Sequence, residues 1–256
     1  MSDTAGAQFS PQEWETRTEL AAAYRLVDNL GWTDLLASHL SAVVPGDEDH
    51  FLINRYGLAF DEITASNLVR VALDGSTIDP KNRIIGTGAF AIHSAVHAAH
   101  PHLKAAFHLH TRETVAIASQ KGGLLPLTQM ALSVFPFVRY HEFTGFSDVE
   151  EREEIVQSLG DGRVLIMRNH GVLVAGETVG EAFGFAWRIQ RACVMQLAAQ
   201  IGTHSAELNT LSDEVRDRAI SQVAKIVSKD GWNRIGKHDW AALVRRIDRA
   251  APEYRT

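Results

Sequence analysis

Apolar residues recur at helical spacing along several stretches of this chain, and most of these stretches have recognisable start and stop signals. The first is predicted to span residues 11–30, because Ser10 can cap it, Pro11 suits its first turn and Gly31 follows its last periodic apolar residue. Similar signals predict six further helices, at residues 88–99, 111–120, 147–160, 178–197, 213–228 and 238–250.

Shorter apolar runs lie between these helices and predict strands. Three hairpins are predicted, each with turn residues between two apolar runs, at residues 41–54, 69–78 and 164–174. Residues 122–136 contain two adjacent glycines and a proline near their start, and are predicted to be irregular. Helices and hairpins in this mixed order predict an α/β fold of three α/β/α layers, with a central mixed, largely antiparallel sheet.

The composition narrows the classes of function. The chain has 256 residues, 45% of them apolar, which is enough for one domain with a full core. A net charge of -6 argues against a nucleic acid or an anionic membrane as partner, since both select basic patches. The single cysteine, Cys193, excludes an internal disulfide, and residues 1–10 lack the pattern of a signal peptide. A cytoplasmic protein with no membrane span is predicted.

Two histidines share one face of a predicted strand. Residues 104–110 read Lys-Ala-Ala-Phe-His-Leu-His, and successive side chains on a strand point to opposite faces, so His108 and His110 lie on the same side. Two imidazoles at this spacing can bind one metal ion, with bonds of about 2.0 to 2.1 Å for zinc. The simpler alternative is a pair of strand histidines that only make hydrogen bonds.

A third ligand is predicted at the tip of the hairpin in residues 164–174, where the turn Asn169-His170-Gly171 presents a histidine from a fixed position. Three neutral imidazoles on rigid elements leave a coordination position open, which is the arrangement of catalytic metal sites. The sequence therefore predicts a divalent metal ion held by His108, His110 and His170. Zinc is the first choice, with manganese and iron as alternatives.

Seven short motifs follow one another in an order and spacing that resemble the class II aldolase/adducin family, most closely its adducin-like bacterial branch. They lie at residues 51–54, 61–64, 73–75, 90–101, 107–111, 123–132 and 168–171. The resemblance covers residues 15–205. It implies a single domain over residues 1–256, with C-terminal helices at 211–250 after the core. It also implies metal binding at the three histidines, a small-molecule substrate and a homotetramer.

The chain departs from the sugar-phosphate aldolases of that family at the acid/base position. Those enzymes have a glutamate four residues before the histidine that matches His93, whereas this chain has Ala89. Alanine cannot carry a proton, and a positioned acid/base typically contributes about 10² to 10⁴-fold. The family's two phosphate-binding pairs are also replaced, by Ser38-His39 and Thr87-Gly88, so fewer donors face a phosphate. An unphosphorylated substrate is predicted.

Histidines take the places of these missing groups. His39 lies where the family contacts its substrate, and His93 and His97 lie four residues apart on one helix face. Neutral histidine can act as a base or a hydrogen-bond donor near pH 7, so His39 and His93 are predicted to be catalytic. A packed structural role is the alternative for His93, and His97 is predicted to be structural. His100, His102 and His141 are predicted to lie at the surface.

Three functions are consistent with these features. The first is a metal-dependent lyase that cleaves a C–C bond of a small unphosphorylated oxo or hydroxy acid, or decarboxylates it, because a metal can stabilise the resulting negative charge. The second is a non-heme iron oxygenase at the same three histidines, although such iron sites more commonly include a carboxylate. The third is a non-catalytic assembly domain, which the adducin resemblance implies. The metal identity separates the first two.

Overall fold

In the computed structural model, the described residues are 9–77, 84–145, 151–202, 208–228 and 230–256. The strands are β1 (His39–Val44), β2 (Asp47–Ile53), β3 (Val69–Ala72), β4 (Ala105–Leu109), β5 (Val138–His141), β6 (Val164–Met167) and β7 (Gly171–Gly176). The α-helices are α1 (Pro11–Asn29), α2 (Thr87–Ala99), α3 (Arg112–Ala118), α4 (Gln129–Val134), α5 (Arg152–Leu159), α6 (Val179–Gln200), α7 (Asp213–Val227) and α8 (His238–Ala250). Short 3-10 helices lie at Phe60–Glu62, Phe135–Phe137 and Pro252–Arg255.

The seven described strands form one sheet in the order β3-β2-β1-β4-β7-β6-β5. Every neighbouring pair is antiparallel except β5 and β6, which are parallel. Helices cover both faces of this sheet, with α1 and α6 against one face and α2 and α5 against the other. The predicted three-layer α/β fold with a mixed, largely antiparallel sheet is therefore confirmed.

Strand β4 shows how the alternation of side chains divides the core between these two faces. Phe107 and Leu109 belong to the large core cluster under α1 and α6. Ala106 belongs to the smaller cluster under α2 and α5, and His108 points to this same side because it is two residues further on. The candidate metal ligands therefore lie on the α2 side of the sheet.

Predictions for three connecting segments differ from the structure or fall partly outside the described residues. The segment 122–136 was predicted to be irregular but contains α4, because Thr128 caps it by accepting a hydrogen bond from the Ala131 backbone N–H. No strand follows the Asp74-Gly75 turn at residues 76–77, and residue 78 lies outside the described residues, as does the predicted helix start at residues 147–150. The remaining predicted helices match α1, α2, α3, α6, α7 and α8 to within a few residues.

A buried tyrosine hydroxyl fixes the strand that carries His39. The Tyr24 hydroxyl, on α1, accepts hydrogen bonds from the backbone N–H of Leu40 at 2.9 Å and of Asn54 at 3.1 Å. It also lies 2.5 Å from the Leu40 carbonyl oxygen and 2.8 Å from Asn54 Oδ1, so its proton has an acceptor. The side chain is fully buried, so water cannot replace these bonds.

Tyr24→Phe is therefore expected to lower the free energy of unfolding by about 1 to 3 kcal/mol, because two buried backbone donors lose their partner. Urea unfolding followed by circular dichroism measures this change. Tyr56→Phe is the matched control, since Tyr56 is 53% exposed and should change stability little. Equal stability of the two variants would contradict the role of the Tyr24 hydroxyl in holding β1.

None of the described helices combines the length and the apolar character that a membrane crossing requires. The thiol of Cys193 on α6 is buried, and this burial raises its pKa to about 12. A thiol in that state is protonated and inert at neutral pH, as the apolar run around it predicts.

Candidate metal centre and its cavity

Three histidines converge where inner strands of the sheet end. His108 is on β4, His110 follows the end of that strand, and His170 lies in the turn between β6 and β7. Strand β7 pairs with β4, which brings the tip of its hairpin next to the end of β4. His108 is buried, whereas His110 and His170 are half-buried. The three histidines predicted from the sequence are thus neighbours in the structure.

The ring nitrogens of the three histidines face one another. His108 Nε2 lies 2.7 Å from His110 Nε2 and 3.3 Å from His170 Nε2. One nitrogen from each ring lies within 4.8 Å of the other two. Tetrahedral bonds of 2.1 Å separate two ligand nitrogens by about 3.4 Å, so this spacing is close to that of a metal site. Among the described residues, this is the cluster in which histidine, cysteine or carboxylate ligands come together in this way.

The backbone at the hairpin tip explains how His170 and His110 come so close. Asn169 has a φ of 57°, in the left-handed region that asparagine tolerates better than most residues. A Cβ atom on Gly171 would lie 2.6 Å from His110 Cδ2 and 2.6 Å from the Leu109 carbonyl oxygen. Only glycine lets the two backbones approach this closely, so the sequence Asn169-His170-Gly171 positions the third ligand.

A carboxylate orients one of the rings. Asp34 Oδ2 lies 3.3 Å from His110 Nδ1. A neutral His110 that donates from Nδ1 to this carboxylate keeps its lone pair on Nε2, the nitrogen that faces the other two histidines. Such carboxylate and histidine pairs commonly support metal sites, because they fix the tautomer and raise the basicity of the ligand. Asp34 was not identified from the sequence, where a loop aspartate before β1 gives no signal of this contact.

The surroundings keep these imidazoles neutral. Burial lowers the pKa of His170 to about 4 and lowers the pKa of His108 well below its usual range. The pKa of His110 is lowered by burial as well, and the nearby Asp34 carboxylate opposes this shift. Neutral imidazole is the form that binds metal, so the cluster is in the ligand state at neutral pH without losing protons.

The cluster opens into a cavity of about 290 Å³. Its polar lining includes His39, His108, His110 and His170, and Gly86, Gly88 and Ala89 at the start of α2 border it. Its apolar lining includes Leu36, Ile53, Ile85 and Ile92. A cavity of this size accepts a small molecule, and a ligand within it would contact the side chains of the histidine cluster.

His39 and His93 occupy different positions relative to this cavity. His39 lies opposite His108 in the pairing of β1 with β4, its ring stacks on that of His108 at 5.0 Å, and it lines the cavity. His93 on α2 is fully buried behind it, and His93 Nε2 lies 2.7 Å from His39 Nδ1. His39 can therefore contact a bound substrate directly, whereas His93 contacts His39.

The hydrogen bonds continue from His93 into the core. Ser41 Oγ, on β1, lies 2.5 Å from His93 Nδ1 and 2.7 Å from His97 Nε2. His97 Nδ1 in turn lies 3.1 Å from the carbonyl oxygen of Leu103. Ser41 was not identified from the sequence, although its position two residues after His39 on a strand places both side chains on one face.

The prediction that His141 lies at the surface is wrong. His141 is buried at the end of β5, where α5 covers it. Its Nε2 lies 2.9 Å from Glu151 Oε1, and its Nδ1 lies 2.9 Å from Ser158 Oγ. Local sequence could not show this burial, because the covering helix comes from a later segment. His102 is exposed and His100 is half-buried.

The donor set and its surroundings together fit a divalent metal ion. Three neutral imidazole nitrogens point at one place, one ring is oriented by a carboxylate, and the cavity leaves room for further ligands. Nitrogen ligands of this kind suit zinc, and they also suit iron and other transition metals. No carboxylate belongs to the cluster found among the described residues.

Comparison with known sequences gives matches over most of the chain. The family model for the Class II Aldolase and Adducin N-terminal domain matches residues 18–197. A protein of Caulobacter vibrioides named "Putative aldolase class 2 protein" is 43% identical over 251 residues, which are 96% of this chain and 94% of that protein. Alpha-adducin of Mus musculus is 37% identical over 250 residues, which are 94% of this chain and 34% of that protein.

Solved structures share the fold over nearly the whole chain. An aldolase II superfamily protein from Pseudomonas syringae superposes with a TM-score of 0.88 and 44% identity, covering 98% of both chains. L-fuculose 1-phosphate aldolase from Glaciozyma antarctica PI12 superposes with a TM-score of 0.80 and 25% identity, covering 100% of this chain and 96% of that one. The similarity therefore includes the C-terminal helices.

Proposed function

This chain belongs to the class II aldolase and adducin family, and on that premise we propose that it is a metal-dependent lyase acting on a small unphosphorylated oxo or hydroxy acid. The proposed reaction is cleavage of a C–C bond or decarboxylation. The observation that carries the proposal is the convergence of His108, His110 and His170 at the wall of a small cavity.

The three histidines would hold the metal, and zinc is our first choice for it. A bound divalent ion supplies a Lewis acid, which stabilises negative charge on a substrate oxygen when a bond next to a carbonyl breaks. Asp34 would keep His110 in the tautomer whose Nε2 faces the ion. Substrate oxygens would reach this place from the cavity, because all three histidines line it.

The amino end of α2 favours an acidic substrate. Gly86 caps this helix without a side-chain hydrogen bond, and the first turn contains no acidic residue. The first backbone N–H groups of a helix have no partner within it and attract negative charge. Because Gly88 and Ala89 border the cavity, these donors are available to a substrate carboxylate.

The size and lining of the cavity favour a substrate without a phosphate. Its volume of about 290 Å³ is at the lower end for ligand sites, and Ile53, Ile85 and Ile92 form much of its wall. The pairs Ser38-His39 and Thr87-Gly88 replace the phosphate-binding pairs of the sugar-phosphate aldolases, and Gly88 offers no hydroxyl to a phosphate. Ser38 itself is fully buried and does not line the cavity.

His39 is the proposed acid/base for cleavage. In a retro-aldol step, a base removes the proton of the substrate hydroxyl, the C–C bond breaks as that oxygen becomes a carbonyl, and the bonding electrons move toward the second carbonyl. Burial lowers the pKa of His39 to about 3, so its imidazole is neutral and has one lone pair. Transfer of the substrate proton to this nitrogen would require the negative charge that develops on the substrate to stabilise the imidazolium. Decarboxylation requires no base to begin, so it depends less on His39.

The two other functions have distinct signatures. An oxygenase at the same histidines would require iron and molecular oxygen, and would be inactive with zinc. The similarity to alpha-adducin favours the third function, a non-catalytic assembly domain. Such a domain would convert no oxo or hydroxy acid, whichever metal is supplied. The homotetramer and the cytoplasmic location stay predictions.

The proposal is tested by assaying the full-length protein, stripped with a chelator and reloaded with zinc, manganese or iron(II), against three probes. The probes are oxaloacetate for decarboxylation, γ-hydroxy-α-oxoglutarate for C–C cleavage, and L-fuculose 1-phosphate for a phosphorylated sugar. We expect turnover of at least one acid by the reloaded protein only, and negligible cleavage of the sugar phosphate. Efficient sugar-phosphate cleavage, or oxygen consumption that requires iron, would contradict the proposal.

A further inference from the structure

The buried histidines behind the cavity form a hydrogen-bonded chain with a definite direction. It runs from the Leu103 carbonyl oxygen through His97, Ser41 and His93 to His39, with the distances given above. The four side chains are between 0% and 8% exposed, so water does not compete for these bonds. None of the three rings has a carboxylate among its described hydrogen-bond partners, so each is neutral and carries one N–H proton.

The Leu103 carbonyl oxygen at one end of this chain determines which ring nitrogens carry protons, because a carbonyl oxygen can only accept a hydrogen bond. His97 must therefore donate from Nδ1 to Leu103, and its Nε2 is an acceptor. The Ser41 hydroxyl donates to that Nε2, at 2.7 Å. A second acceptor for Ser41, the Ala106 carbonyl oxygen, lies at 3.5 Å, and donation there would leave two lone pairs facing each other between Ser41 and His97.

The same logic continues to the cavity. Since the proton of Ser41 is used toward His97, Ser41 Oγ accepts from His93 Nδ1–H. His93 Nε2 then holds the lone pair and accepts from His39 Nδ1–H. His39 Nε2 is left without a proton. Among the four hydrogen-bonded side chains, His39 is the one that lines the cavity.

We propose that Ser41, His93 and His97 are positioning residues, which hold His39 in the Nδ1–H tautomer so that its unprotonated Nε2 faces the substrate. Which ring nitrogens carry protons depends only on the folded protein, whereas the catalytic consequence of this arrangement rests on the proposed function. This order makes His39 an acceptor for a substrate hydroxyl rather than a donor to a substrate carbonyl. It thereby favours hydroxy acids, cleaved through their hydroxyl proton, as the substrate class.

Nuclear magnetic resonance of the protein labelled with ¹⁵N in its histidine rings reads the tautomers directly, and His39→Gln identifies the His39 signals. In the wild type we expect the Nδ1 of His39, His93 and His97 to carry the proton. A proton on His39 Nε2 in the wild type would overturn the proposal, whatever reaction the protein catalyses.

Ser41→Ala removes the hydroxyl that joins His97 to His93 through hydrogen bonds. His93 is then free to donate from Nε2 to His39 Nδ1, so we expect a measurable fraction of His39 with its proton on Nε2. Ser94→Ala is the matched control, because Ser94 is equally buried on α2 and its hydroxyl bonds only backbone carbonyls of its own helix. An unchanged His39 tautomer in Ser41→Ala would overturn the role of the chain.

Kinetics then separate this inference from the proposed function. If γ-hydroxy-α-oxoglutarate is cleaved, Ser41→Ala should lower kcat in proportion to the fraction of His39 that carries its proton on Nε2, with KM little changed, because a histidine in the wrong tautomer can cost up to about 10⁴-fold. Ser94→Ala should keep the wild-type rate. Unchanged kcat despite a changed tautomer would overturn the catalytic part of the inference. Lack of turnover in the wild type would count against the proposed function, while the spectra would still decide the proton order.

Discussion

His110→Ala is expected to reduce the bound divalent metal from about one ion per chain to nearly none. Removing one of three imidazoles leaves His108 and His170 as an incomplete ligand pair, while the Asp34 carboxylate loses the ring that it orients. Even loss of a group that supports a ligand typically lowers metal affinity by about 10 to 100-fold, and loss of the ligand itself should exceed this. Inductively coupled plasma mass spectrometry of protein purified without an affinity tag measures the content.

His102→Ala is the matched control for this experiment. His102 is an exposed histidine near the start of β4 and lies outside the cluster, so its loss should leave the metal content at the wild-type value. Circular dichroism of both variants tests whether the fold is kept. Equal metal content in the wild type and in a His108→Ala/His110→Ala double variant would show that these histidines are not the ligands.

His39→Ala is expected to lower kcat for C–C cleavage by about 10² to 10⁴-fold, the usual contribution of a positioned acid/base. His39 lines the cavity next to His108, and the family resemblance implies that Ala89 occupies the place of the acid/base glutamate of the sugar-phosphate aldolases. The reaction is followed by pyruvate release from γ-hydroxy-α-oxoglutarate with the metal-loaded protein. Decarboxylation of oxaloacetate should change far less, because it needs no base to start.

His50→Ala provides the comparison for His39. His50 is on β2, makes its hydrogen bond to Asp47 and does not line the cavity. Both rates should therefore stay close to those of the wild type in this variant. Equal loss of cleavage and decarboxylation in His39→Ala would argue that His39 shapes the metal centre instead of accepting a proton. A fully active His39→Ala enzyme would exclude a catalytic role.

Most of the secondary structure could be predicted because its signals are local. The Ser10 cap and Pro11 determine where α1 begins, and β1 and β2 pair on either side of the turn residues Pro45-Gly46-Asp47. Helix α4 was missed because its six residues are too few to show a helical period. Its cap, Thr128, was the available signal, but the preceding glycines and proline suggested a longer irregular segment.

The sheet order could not be derived from local signals. Pairing of β1 with β4 joins residues that are more than sixty positions apart, and β5 joins the sheet in parallel through the helix α5. The residue patterns predicted a largely antiparallel sheet with helices on both sides, and the family resemblance implied the same three layers, but the local patterns did not indicate the order of the strands. Register is determined by which side chains fit the core, and this depends on the whole fold.

Part of the candidate site could also be predicted from local sequence, and part of it could not. The strand period alone placed His108 and His110 on one face, and the turn chemistry of Asn169-His170-Gly171 indicated a presented histidine. The contact of Asp34 with His110 and the chain through Ser41 depend on pairing and packing between distant segments. They could be recognised only once β1, β4 and α2 had been placed side by side.

Anomalous X-ray diffraction from crystals of the untagged protein, recorded on both sides of the zinc absorption edge and at the manganese and iron edges, shows directly whether His108, His110 and His170 bind a metal ion. Metal binding by these histidines predicts one strong peak per chain, within about 2.0 to 2.2 Å of one ring nitrogen each of His108, His110 and His170, facing the cavity. Metal-loaded crystals without a peak at this place, or with the ion bound by other residues, would contradict it.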